Sequence, residues 1–295
     1  MNRLWLIRSL VRILNRIPYF AVLYTAPILG RLGYWAYRSQ RDIALQNIRA
    51  CYPEDSYSLH KKIAIRAFQH IAISSVELLR LFDEKPHTRP RIKIRNLHYI
   101  NEALAGGRGV VLVTAHYGHV GVLPLALKGI CEDPAYIMRR ATRRVGWMVA
   151  QFRAYREMYL KPKSSFHSLE SSIRGAVKAG HLLKRGNAVM VVADLTWGSG
   201  AIPVNFLGTS YNMSRAPASL SILTGAALIP IITSRSTDGT YEVVVEPPIE
   251  NPIGVSRHDA EQIMMGNFAK LLERCVSSCP EQWYWMHHYY RQAIT

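Results

Sequence analysis

The sequence predicts an α/β fold in which helices flank a mostly parallel central sheet. Three short apolar runs, residues 110–113, 188–193 and 228–233, have the length and the β-branched content of buried strands. Segments with helical periodicity lie between them. Strands that alternate with helices along a chain are typical of a parallel sheet with helices on both faces.

The individual elements follow from periodicity and from the residues that end each segment. A helix is predicted over residues 56–82, because apolar residues recur on one side and Pro86 and Pro90 follow. Three glycines introduce the first buried strand at residue 110, and Gly186 ends the helix before the second. The remaining predicted elements are helices at 122–128, 171–185, 216–224 and 258–279 and a strand at 241–246, the candidate for one antiparallel neighbour.

Residues 1–40 differ from the rest of the chain and are predicted to form a helical arm that associates with a membrane. Arginines at positions 8, 12 and 16 share one helical face, and the uncharged run 17–30 that follows contains Pro18 and Pro27. That run is shorter than the roughly 20 apolar residues of a spanning helix. We expect the arm to lie in the interface of an anionic membrane. A hairpin packed on the body and a single-span anchor are the alternatives, and residues 41–295 form the second predicted domain.

Composition limits the classes of function that fit this chain. The 295 residues are 49% hydrophobic, which excludes a disordered chain and permits a large core. Lysine and arginine number 37 against 20 acidic residues, a net charge of +17 that indicates a polyanionic partner. The four cysteines lack the spacing of a disulfide framework or a zinc site, so no metal site is predicted.

Two chemically active side chains fall at the carboxyl ends of predicted strands. His116 follows the first buried strand on a glycine-flanked turn that also carries His119, and Asp194 follows the second. Ligands of open α/β sheets bind outside the carboxyl ends of the strands. A histidine in that position is a candidate general base, because its pKa lies near the operating pH of most enzymes.

Several segments resemble the lipid A biosynthesis (lauroyl/myristoyl) acyltransferase family, a branch of the lysophospholipid and glycerophosphate acyltransferases. The resemblance covers most of the chain: Arg41, Asn47-Ile48, residues 51–54, residues 106–116, Asp194, residues 203–208, residues 225–230 and residues 280–287. It implies a glycerophosphate-acyltransferase-like fold and transfer of a fatty acyl chain to a hydroxyl or an amine of a membrane glycolipid. The implied donor is an acyl carrier protein or coenzyme A thioester, and no cofactor is implied.

The family's catalytic pattern is a histidine, four residues and then an acid, and this chain departs from it. His116 fits the first position, but the acid position holds Gly121. His119 supplies no fixed negative charge, so it cannot replace the acid that orients the base. Three explanations remain open: Asp194 supplies the carboxylate, His116 works with a backbone carbonyl, or the protein is an impaired, lipid-binding relative.

The resemblance also suggests residues for substrate binding. Arg139 and Arg140 match the family's tyrosine–arginine segment and would hold phosphate or the phosphopantetheine arm. Arg215 precedes a predicted helix whose N-terminus would favour an anion, and His119 is the fourth candidate. The expected location is the cytoplasmic face of the inner membrane. The C-terminal aromatic cluster, residues 283–290, fits an interfacial belt or a structural cap, and no nucleic-acid motif accompanies the charge.

Overall fold

The computed structural model describes residues 9, 12–13, 16–80, 91–132, 134–138, 167–195 and 200–287. Helices flank a seven-stranded mixed sheet, and a separate two-stranded hairpin packs beside it. The helices are α1 (Tyr19–Ala36), α2 (Arg38–Cys51), α3 (Tyr57–Arg80), α4 (His98–Ala105), α5 (Leu123–Ala126), α6 (Ile173–Lys184), α7 (Ala216–Thr224) and α8 (Arg257–Ser278). The strands are β1 (Ile92–Arg95), β2 (Val110–Thr114), β3 (Ala135–Met138), β4 (His167–Glu170), β5 (Ala188–Val192), β6 (Ala201–Phe206), β7 (Thr209–Ser214), β8 (Ala227–Arg235) and β9 (Tyr241–Val245).

The sheet confirms the predicted α/β architecture. Its strand order is β1-β9-β8-β2-β5-β3-β4, and the five strands from β8 to β4 are parallel. Strand β9 runs antiparallel to β8, as the sequence predicts for residues 241–246. Every residue of the central strand β2 is buried, and its side chains alternate between the two cores on either side of the sheet.

Five strands were not predicted, and their sequences explain why. Strands β1, β3 and β4 are only four residues long, so they carry little periodic signal. Strands β6 and β7 form a hairpin with Pro203 inside a strand, a residue that argues against strand assignment. The two-residue turn has positive φ at both Leu207 and Gly208, the geometry that suits a tight hairpin.

Helix α1 lies against α3 over much of its length. Its buried residues Val22, Ala26, Gly30 and Tyr34 recur every four positions and so form one face. Gly30 permits the closest approach, because a Cβ there would lie 2.5 Å from the Cα of Gln69 and 2.7 Å from the carbonyl oxygen of Phe68. No helix in the described part of the chain is long and apolar enough to cross a bilayer.

Helix α2 runs across the predicted boundary between residues 40 and 41. The division into an arm at 1–40 and a domain at 41–295 stays a prediction.

We predict that Gly30→Ala destabilises the protein by about 1–3 kcal/mol, because the added methyl group must push two helix backbones apart. Gly33→Ala is the matched control on the same helix, since its Cβ would meet nothing closer than 3.7 Å. The control gains helix propensity and should stabilise by up to about 1 kcal/mol. Urea unfolding measures both, and equal stabilities for the two variants would contradict this packing.

Candidate active site

His116 and Asp194 face each other at the carboxyl edge of the sheet because β2 and β5 pair in parallel. Thr114 is the register partner of Val192, and His116 and Asp194 each follow two residues later. The ladder extends past the strands through a 2.8 Å hydrogen bond from Ala193 N to Thr114 O. The His116 Nδ1 atom then lies 2.9 Å from Asp194 Oδ1 and 3.1 Å from Oδ2.

The geometry of this pair fixes the tautomer of the histidine. An ionised carboxylate only accepts hydrogen bonds, so Nδ1 carries the proton and donates it to Asp194. The neutral ring therefore has its lone pair on Nε2, the atom that accepts a proton. The Asp194 side chain is fully buried and the His116 side chain is 35% exposed, so of the two only His116 is open to the cavity.

Asp194 also affects the pKa of His116. Burial lowers the pKa of His116, but the charge of Asp194 and its hydrogen bond outweigh that effect and raise the pKa above its ordinary 6.5. The backbone carbonyl of Asp194 accepts a hydrogen bond from the Tyr211 hydroxyl on β7. That contact holds the β6–β7 hairpin next to Asp194.

The turn after His116 is held from three sides. Thr233 on β8 accepts a hydrogen bond from His119 N and donates one to Tyr117 O, both at 3.0 Å. His70 of α3 contacts the Gly118 carbonyl through Nε2 at 3.1 Å. Gly118 has φ of +61°, and a Cβ there would lie 2.0 Å from the carbonyl oxygen of Thr233, so only glycine fits.

The C-terminal segment supplies the third side. Gly118 N donates to Gln282 O at 2.9 Å, and Tyr284 N donates to His116 O at 3.1 Å. Trp283 and Trp285 are buried, so these two members of the aromatic cluster pack as a structural cap and not as an interfacial belt. The ring of His287 lies 5.5 Å from the ring of His116.

His119 occupies the space in which the family's motif acid would begin. A Cβ on Gly121 would lie 2.7 Å from His119 Cε1 and 2.9 Å from Leu78 Cδ1. His119 Nδ1 accepts a hydrogen bond from Gly121 N at 3.2 Å, and burial lowers its pKa to about 4, so the ring is neutral at pH 7. The His119 ring therefore fits in this position because residue 121 has no side chain.

A cavity of about 750 Å³ opens beside His116. Its described lining comes from α3, the histidine turn, the carboxyl ends of β3 and β5, and the start of α7: His70, Ile71, Ser74, Ser75, Leu78, His116, Gly118, His119, Val120, Gly121, Pro124, Tyr136, Ile137, Ser171, residues 190–192, Leu195, Gly200, residues 214–216 and residues 282–284. Most of these side chains are apolar, and the volume is that of a small-molecule site. A largely apolar cavity beside a histidine–carboxylate pair suits an acyl chain better than a polar substrate.

The structure places the other predicted site residues differently. Arg215 lines the cavity, but its Nε and Nη2 atoms both donate to the buried carboxylate of Glu261, which Arg257 and Ser219 also contact. Arg139 and Arg140 lie outside the described residues. In the described part of the chain, no group of three or more His, Cys, Asp or Glu side chains is arranged to hold a metal ion.

Sequence reasoning missed Glu77, a carboxylate with no exposed surface on α3. It accepts hydrogen bonds from the Tyr19 and Tyr241 hydroxyls and from Arg235, whose Nη2 lies at 2.8 Å. A glutamate within a helical pattern normally faces solvent, and its partners on β8 and β9 are about 160 residues away in sequence. No local signal marks such a residue.

Comparison with known proteins decides the family of this chain. The model of the bacterial lipid A biosynthesis acyltransferase family matches residues 2–292. The chain belongs to this family. It is an acyltransferase that transfers groups other than aminoacyl groups.

Two curated relatives from Escherichia coli (strain K12) have related names. The lipid A biosynthesis lauroyltransferase is 22% identical over 296 residues, covering 97% of this chain and 90% of that protein. The lipid A biosynthesis palmitoleoyltransferase is 21% identical over 288 residues, covering 94% and 87% respectively. A lipid A biosynthesis acyltransferase of Shigella flexneri matches with the same identity and coverage.

We predict that Gly121→Glu, which restores the family pattern, lowers both stability and transfer rate. The new side chain must displace His119 or Leu78, an overpacking cost of about 1–3 kcal/mol. Adding His119→Ala to Gly121→Glu should recover part of the lost stability, because it empties the clashing volume. Thermal unfolding and transfer assays on the two variants and on His119→Ala check this; a Gly121→Glu protein with unchanged stability would contradict it.

Proposed function

We propose that this acyltransferase moves a fatty acyl chain from a thioester carrier to a hydroxyl, or an amine, of a lipid A precursor or related membrane glycolipid. The observation that carries the proposal is the 2.9 Å contact between His116 Nδ1 and Asp194 beside an apolar cavity. The donor is an acyl carrier protein or coenzyme A thioester, and the chemistry needs no cofactor beyond it.

His116 acts as the general base in the proposed mechanism. Its Nε2 accepts the proton of the acceptor hydroxyl while that oxygen attacks the thioester carbonyl. The tetrahedral intermediate then collapses, breaks the carbon–sulfur bond and expels a thiolate, which recovers the proton from the imidazolium. Asp194 holds the ring in the productive tautomer and stabilises its positive charge throughout.

The cavity wall has further roles in substrate binding. His119 lines the cavity as a neutral ring whose Nδ1 accepts a hydrogen bond from Gly121 N, so it would contact a substrate as an uncharged part of the wall. Arg215 sits at the first turn of α7 and would attract an acceptor phosphate, although Glu261 balances much of its charge. Arg139 and Arg140 would hold phosphate or the phosphopantetheine arm.

An impaired, lipid-binding relative is the second candidate function, and it rests on Gly121. The position of Asp194 argues against it, because the carboxylate that the motif lacks is supplied by the neighbouring strand. Transfer assays separate the two functions. No product from any lipid acceptor with either donor would favour the binding protein.

We predict that His116→Ala and Asp194→Asn lower kcat by about 10²–10⁴-fold, because the first removes the base and the second removes the carboxylate that orients it. The pH profile gives a second readout. The base must be neutral, so activity rises with pH through the pKa of His116, which lies above 6.5 in the parent. In Asp194→Asn the influence that raises this pKa is lost, so the rise should move to lower pH. An active His116→Ala protein would exclude this residue as the base.

The exposed face of helix α1 supports the proposal that the arm lies in a membrane interface, which would be the cytoplasmic face of the inner membrane. Its outer face exposes large apolar side chains at helical spacing: Phe20, Tyr24, Ile28, Leu32 and Trp35, each more than half exposed. Arg31 and Arg38 are exposed nearby. An apolar row of this size beside cations is typical of a helix that lies on an anionic bilayer.

We predict that Tyr24→Glu combined with Leu32→Glu weakens binding to anionic vesicles at least about tenfold, because two side chains lose their apolar burial. Transfer to an acceptor in vesicles should fall in parallel, whereas transfer to a detergent-dispersed acceptor should persist. Ile253→Glu is the control, since this side chain is 98% exposed on a loop away from α1. Unchanged vesicle sedimentation of the double variant would exclude α1 as the interfacial element.

A further inference from the structure

The outer face of helix α6 carries basic and apolar side chains in two adjacent rows. Arg174, Lys178, His181 and Arg185, the last just past the helix end, recur at intervals of four, three and four residues, and all are exposed. Ile173 and Val177 lie beside them and are 86% and 54% exposed. The helix contains no acidic residue.

The start of α6 lies at the rim of the cavity. Ser171, two residues before the first residue of α6, lines the cavity that holds His116. The opposite face of α6 is anchored by Gly175, Ala179, Leu182 and Leu183, which are buried against the sheet and α7. Ser172 caps the helix by accepting a hydrogen bond from Gly175 N at 3.2 Å. The exposed rows therefore sit on an anchored helix that begins beside the cavity.

The arrangement of charge on α6 selects one class of ligand. The basic side chains form a line along a helix of roughly 18 Å, the length of 12 residues at 1.5 Å each. A nucleotide or a single phosphate needs donors that converge on one point, whereas this row is spread along the helix. A line of basic side chains with two apolar side chains beside it complements an acidic protein helix with its own apolar residues.

We propose that the outer face of α6 docks the acidic carrier protein that delivers the acyl thioester. The inference rests on the proposed function and deepens it, because it names the surface that a protein-bound thioester donor would contact. Docking at the rim places the thioester arm at the cavity mouth, and the acyl chain then extends toward His116.

A bilayer surface is the competing partner for a basic, partly apolar helix. Two features favour the protein. The large aromatic and aliphatic side chains of an interfacial helix are on α1, whereas α6 offers only Ile173 and Val177. Helix α1 packs on α3, and Glu77 of α3 contacts β8 and β9 near one edge of the sheet. Helix α6 packs on β5 and on β4, the strand at the other edge.

The test compares two donors that share one acyl chain, lauroyl–acyl carrier protein and lauroyl-coenzyme A. The variant is Arg174→Glu with Lys178→Glu. Its matched control is Lys270→Glu with Arg274→Glu, which reverses two exposed cations at the same four-residue spacing on α8. We expect kcat/KM for the carrier-protein donor to fall at least about tenfold in the α6 variant through KM, with less than a twofold change for lauroyl-coenzyme A. The control should change neither.

A binding measurement keeps the docking proposal testable apart from catalysis. Fluorescence anisotropy with labelled acyl carrier protein should show saturable, salt-sensitive binding to the parent and to the control, and about tenfold weaker binding to the α6 variant. This holds even if neither donor supports transfer, an outcome that contradicts the proposed function alone. The docking proposal is overturned if the parent shows no saturable binding. It is also overturned if the α6 variant loses kcat/KM equally with both donors and no longer binds vesicles.

Discussion

The parallel pairing of β2 with β5 sets the distance on which the site depends. Both strands are buried except at Val192, so neither can slip without moving its apolar side chains out of the core. The register that pairs Thr114 with Val192 therefore also brings His116 to Asp194. Backbone hydrogen bonds of the sheet, and not a local loop contact, hold Asp194 against His116. Orientation of this kind loses little entropy when the substrate binds, because the folded core has already fixed both side chains.

A second buried charge connects the predicted membrane helix to the same body. Glu77 receives hydrogen bonds from Tyr19 at the start of α1 and from Arg235 and Tyr241 on the sheet. Removing one partner of a buried ion pair leaves an uncompensated charge, so this cluster strongly specifies where α1 sits. The same stretch of α3 lines the cavity through Ser74 and Leu78. One helix therefore links α1 to the cavity beside His116.

Much of this architecture follows from the sequence, because its signals are local. The composition of runs such as 188–193 predicts buried strands. The ends of these strands then identify His116 and Asp194 as candidate site residues without knowledge of the strand order. Features that depend on distant partners were not predictable. Glu77 has the pattern of an ordinary helix residue, and the steric link between Gly121 and His119 appears only when Leu78 closes the same space. The short strands β3 and β4 owe their conformation to the neighbours they pair with.

Under the proposed function, an acid that follows β5 separates two tasks that the family pattern assigns to one turn. In that pattern the turn after the histidine would both supply the carboxylate and shape the cavity wall. Here residues 118–121 line the cavity and supply no acid. A substitution at Val120 would then reshape the cavity wall and leave the contact between His116 and Asp194 in place. Acyl-chain preference and proton transfer could therefore change independently during evolution.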